Sequence, residues 1–181
     1  QRTLAQLYGA ANPENFLEFL AKSTLNTMSY LSRLASEEYT PSYDAQYPET
    51  GFGNSLRQVA QLIKANVGLE VACVDFGGWD THEQQGGAEG QFANLLAELS
   101  QGIAAFNKDM QDQMNDVTLV TMSEFGRRLE ENASSGTDHG HGGSMFVLGG
   151  GVNGGMYTDW PTLNPDALDD GDLNITTDFR D

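Results

Sequence analysis

The sequence predicts an α/β fold, a mostly parallel sheet sandwiched between helices. Three observations lead there. Short apolar runs at residues 69–76, 117–122 and 145–148 have the length and bounding turns of buried strands. A long amphipathic helix separates the first two runs, as a parallel crossover requires. All three histidines of the chain fall in polar, Gly-rich loops that follow strand-like runs, where open α/β sheets collect ligands.

Taken in order, residues 3–38 read as helical. Leu4, Leu7, Phe16, Leu17, Leu20, Leu31 and Leu34 recur at helical spacing, and Asn12-Pro13 marks a break and a new helix start. Residues 39–53 hold two prolines, two glycines and three tyrosines, which is loop chemistry. Asn54 or Ser55 can cap a helix with Leu56, Val59, Ala60 and Ile63 on one stripe, ending near Gly68. Residues 69–76 are apolar nearly throughout, the pattern of a strand buried on both faces, and Cys73 within it reads as a buried structural thiol. Phe92, Leu95, Leu96, Leu99, Ile103, Phe106, Met110 and Met114 follow steps of three and four and define the clearest helix, its Phe and Met positions serving as core. Residues 149–181 are rich in Gly, Asn and Asp and read as tight turns. The Gly149–Gly155 stretch lacks the Lys-Ser/Thr ending of a phosphate loop.

The 181 residues fit one domain with a real core, with residues 1–52 as a helical and loop segment and 53–181 as the α/β portion carrying the site. The formal net charge of −17, from 26 acidic against 9 basic residues, disfavours nucleic acid and anionic membrane surfaces as partners. No run reaches the length of a membrane span. The chain starts at Gln1 and stops at Asp181 without the marks of finished ends, so a piece of a longer protein, incomplete at both ends, is expected.

The chemistry-bearing residues gather in two loops. Asp80-Thr81-His82 places a carboxylate and an imidazole two residues apart, so that in an extended loop both can grip one ion. Asp138-His139-Gly140-His141 repeats the arrangement, and Glu124 adds an oxygen donor after the 117–122 run. Oxygen and imidazole without thiolate suit zinc, manganese or another divalent hydrolytic ion. The competing structural readings are plain. An Asp-x-His can be a hydrogen-bonded turn, and Ser123 can cap a turn instead of acting as a nucleophile. Arg127 and Arg128 can pair with Glu130 or Glu131 instead of holding an anionic substrate. A Ser123–His139–Asp80 triad lacks the Gly-x-Ser-x-Gly elbow. Asn132-Ala-Ser and Asn174-Ile-Thr match the glycosylation pattern, which chance often produces.

Five ordered motifs resemble domain-of-unknown-function family 1501. They are Gly77-Gly78-Trp79-Asp80-Thr81-His82, Met122-Ser123-Glu124-Phe125-Gly126-Arg127, Gly136-Thr137-Asp138-His139-Gly140, the Gly-rich turn after Leu148, and Thr176-Thr177-Asp178-Phe179-Arg180. That family is placed in the alkaline phosphatase-like superfamily of sulfatases and metal-dependent phosphomutases. The resemblance implies a two-metal site at strand ends. Asp80, His82 and His139 or His141 would belong to one metal, and Glu124 would stand where the superfamily has an Asp-His pair for the other. It also implies a nucleophile from nearer the amino end of the full domain, leaving Ser123 and Arg127 as the catalytic candidates within this chain. A metal-dependent hydrolase of phosphate or sulfate esters is the expected function, acting on a small anionic ester or a polysaccharide. The alternative is a non-catalytic exported or surface protein that keeps the fold for binding. Family members often carry a twin-arginine export leader, so a periplasmic or extracellular location is expected.

Overall fold

In the computed structural model, residues 13–178 are described. Leu4 and Leu7 of the first expected helix, and Phe179 and Arg180 of the last motif, lie outside them. The chain divides into two compact units, Gln1–Thr40 and Pro41–Asp181. The first contains helix α1, Pro13–Ser36, opened by Pro13 in the first turn, where a missing N–H costs no helical bond. Several of its apolar side chains face solvent, among them Phe19, Leu25 and Met28.

The second unit carries everything discussed below. Helix α2, Gly51–Lys64, is capped by Thr50, whose hydroxyl accepts from Gly53 N at 3.1 Å; the cap falls four residues before the expected Asn54. Helix α3, Gln91–Asp109, covers most of the predicted 92–114 stripe, and Met114 falls in a short 3-10 turn, Met114–Asp116. Phe52, Leu56 and Ala60 of α2 and Ala105 and Phe106 of α3, with Met110 just beyond it, are buried where the two helices pack, in a small apolar core. Gly102 lets the helices approach, since a Cβ there would sit 2.6 Å from the Phe52 ring. Beside this core lies a polar clasp. The Asp109 carboxylate, fully buried, accepts from Ser42 N at 2.7 Å, from Tyr47 Oη at 2.8 Å and from the Lys64 ammonium. It ties the ends of α2 and α3 to the 3-10 turn Ser42–Asp44.

The expected parallel sheet is not there. The described strands form two small antiparallel pairs: β1, Thr118–Val120, with β4, Val147–Gly149, and β2, Gly126–Arg127, with β3, His139–Gly140. Topology accounts for the antiparallel pairing. The 117–122 and 145–148 runs are joined by a segment without a helix, and parallel neighbours need a crossover of a dozen or more residues, usually helical. The intervening chain folds back through the β2–β3 hairpin and returns antiparallel. Residues 69–76 also differ from the expectation: they join no helix and no strand ladder. Val71 is 78% exposed and Cys73 is exposed, not a buried thiol. An apolar run encodes an extended backbone locally, whereas burial on both faces needs partner strands that the described residues do not supply.

Candidate metal centre

Two loops build the site, and hydrogen bonds stitch them together. Gln84 N and Gln85 N donate to the carbonyls of Ser134 and Ser135 at 2.9 Å each, and Thr137 N donates to Thr81 O at 3.3 Å. The Gln85 side-chain oxygen accepts from both the Thr81 and Thr137 hydroxyls at 2.8 Å. Arg127 acts as a strut: its guanidinium donates to the Trp79 and Thr137 carbonyls and approaches Asp80 Oδ1 at 3.4 Å. Gly136 sits where the loops touch. A Cβ there would fall 2.2 Å from the His82 carbonyl group, which is backbone and cannot swing away. Gly136→Ala is therefore expected to cost about 1–3 kcal/mol or more and to separate the loops, a change that melting and metal titration together would detect.

What the stitching brings together is Asp80, His82 and His139, whose ligand atoms lie within 4.8 Å of one another. Asp80 Oδ1 is 2.7 Å from His139 Nε2 and 3.0 Å from His82 Nε2. The β2–β3 register sets His139 opposite Arg127, and Phe125, just before β2, stacks on the His139 ring at 4.3 Å between centroids and 5° between planes. The Asp80 carboxyl is held below the usual carboxylate range, first by the His139 hydrogen bond and then by the charges of His82, His139 and Arg127.

Asp138 stands behind His82 instead of beside the other ligands: its Oδ1 is 3.0 Å from His82 Nδ1. Its carboxyl is also lowered, first by a hydrogen bond from the Asn132 amide and then by His82. The remaining sequence candidates lie elsewhere. Glu124 is exposed and outside the cluster. His141 turns its Nδ1 to the Leu173 carbonyl at 2.9 Å, while its backbone N–H donates to the buried Asp172. The Ser123 hydroxyl donates to Phe125 O at 2.9 Å, closing a local turn. Asn132, read from sequence only as a glycosylation pattern, is a working part of the site. Its local sequence, Asn132-Ala133-Ser134-Ser135-Gly136, has the composition of an Asx turn, which marks the turn but not the partners at His82 and Asp138.

The donor set fits a divalent ion. Ligands about 2.0–2.2 Å from a tetrahedral zinc lie on the order of 3.3 Å apart. The two separations from Asp80 Oδ1, 2.7 and 3.0 Å, are close to that, and the cluster's spread of up to 4.8 Å narrows when one ion takes all three. His82 supplies a further test. Both its nitrogens face carboxylate oxygens, yet a neutral imidazole has a single N–H. With that proton on Nδ1 toward Asp138, the Nε2 lone pair faces Asp80, and only a cation between them relieves the repulsion. A metal ion or a second proton meets that need.

The structure thus defines a small helical and antiparallel unit whose loops form a two-histidine, one-carboxylate cluster. The chain belongs to the family described as protein of unknown function (DUF1501), whose profile matches residues 23–177. No curated protein and no solved structure matches it significantly.

Proposed function

We propose that Asp80, His82 and His139 hold a divalent ion, zinc or manganese, for a metal-dependent hydrolase of phosphate or sulfate esters. The observation that carries this reading is the convergence of all three ligand atoms within 4.8 Å from two separate loops. The order of the Asp-x-His and late-histidine motifs supports it through their resemblance to the alkaline phosphatase-like superfamily, while the antiparallel pairs of the described residues differ from that superfamily's parallel sheet. An ion so held would polarise an ester oxygen and acidify bound water. The chain's own residues supply the rest. Asp80 and the two imidazoles leave the exposed side of the cluster open to a ligand, and Arg127 fixes Asp80 against the hairpin instead of reaching for substrate.

A second reading draws on Ser123 and Glu124, neither of which joins the cluster: a binding protein, exported or displayed at a surface, that keeps the ion for loop structure. Hydrolysis of nitrophenyl phosphate and nitrophenyl sulfate separates the two, measured on the full-length protein before and after chelation and after zinc or manganese return. Chelator-sensitive, metal-restored turnover is expected. A stoichiometric ion without turnover on either ester overturns the hydrolase and leaves the binding protein.

A further inference from the structure

We propose that Asn132 is a positioning residue for this centre: its amide holds Asp138, and Asp138 holds the His82 ring with Nε2 turned toward Asp80. The inference rests on the metal-centre reading and assigns a task to a residue outside the ligand set. Both ends of the Asn132 amide are engaged. Nδ2 donates to the His82 carbonyl and to Asp138 Oδ1 at 2.9 Å each. Oδ1 accepts from Ser134 N at 2.9 Å and Gly136 N at 3.1 Å. One side chain therefore closes the 132–136 turn with its oxygen and, with its nitrogen, fixes both the backbone and the hydrogen-bond partner of His82.

The physical consequence is a defined tautomer. Asp138, oriented by Asn132, accepts the Nδ1 proton of His82, which leaves the Nε2 lone pair for an ion. Such carboxylate partners behind a ligand histidine set ring orientation and raise its basicity, and losing them commonly costs 10–100-fold in metal affinity. A glycan on Asn132-Ala133-Ser134 would replace one hydrogen of this same nitrogen and leave it a single N–H, so glycosylation here excludes making both Nδ2 bonds.

Asn132→Asp separates the two tasks. The carboxylate can still accept from Ser134 and Gly136, so the turn survives, but it cannot donate to Asp138 or to the His82 carbonyl. An added negative charge would by itself tighten cation binding, so weaker binding in this variant points to the lost relay. Zinc titration by calorimetry is expected to show a loss of about 10–100-fold. Nitrogen-15 spectra should show faster solvent exchange of the His82 Nδ1 proton, with the chelated variant melting within a few degrees of the parent. Asn132→Asp that binds zinc as tightly as the parent overturns the proposal. So does an affinity loss accompanied by a matching fall in zinc-free stability and an unchanged His82 spectrum. A parent protein that binds no zinc or manganese overturns the metal-centre reading, while the His82 spectrum of the metal-free protein still decides whether Asn132 orients the ring.

Discussion

Alanine at both Asp80 and His139 is expected to abolish stoichiometric zinc or manganese binding. The variant removes two of the three converging donors, leaving His82 alone. Loss of a partner behind a ligand typically costs 10–100-fold in affinity, so loss of two ligands should exceed about 100-fold, beyond the range of ordinary titration. Stability should change little, because the side chains of Asp80 and His139 are 56% and 50% exposed and surface substitutions away from buried networks usually stay within about 0.5 kcal/mol. Glu124→Ala and His141→Ala are the matched controls. Both positions carry metal-ligand chemistry in the sequence, yet Glu124 lies outside the cluster and His141 is bonded to Leu173 O. Both should bind metal as the parent does. A Glu124→Ala variant that loses the ion would mean the site assembles differently from the one described.

Lys64→Met is expected to produce a large stability loss, with little direct effect on the metal centre. Asp109 has no exposed side-chain surface, and the Lys64 ammonium is its cationic partner in the clasp. Methionine keeps much of the aliphatic length but takes the Lys64 ammonium away from a buried carboxylate, a change worth about 3–5 kcal/mol. The Ser42 amide and Tyr47 hydroxyl remain as donors, so the lower end is expected. For a domain of this size each kcal/mol moves the midpoint by about 2–4 °C, giving a fall of roughly 6–12 °C in a thermal melt. An unchanged midpoint would show that the clasp is not a major tie between α2, α3 and the 42–44 turn.

The helices of the second unit were legible because their information is local. The stripe from Phe92 to Met110 follows the helical period, and the observed helix covers Gln91–Asp109. Sheet pairing was not, because it joins residues far apart in sequence. The 69–76 run has strand composition, but composition names no partner, and Val71 stands 78% exposed. The 117–122 and 145–148 runs do pair, in the opposite sense to the one expected.

The site divides along the same line. Asp80 and His82 were readable as a pair because a two-residue spacing in extended chain fixes their relative direction. His139 and His141 have that same spacing, yet only His139 joins the cluster; the other turns away because Leu173 O and Asp172 lie beyond the sequence window that suggested it. Asn132 was hidden because its importance lies in partners at positions 82 and 138, which no local pattern records.

Crystals of the full-length protein grown with zinc, and measured for anomalous scattering at the zinc edge, address the central assignment most directly. A peak about 2.0–2.2 Å from Asp80 Oδ1, His82 Nε2 and His139 Nε2 is predicted, with Asp138 still on His82 Nδ1. A map with density for all three side chains and no peak between them, or a peak held by Glu124 or His141 instead, would contradict it.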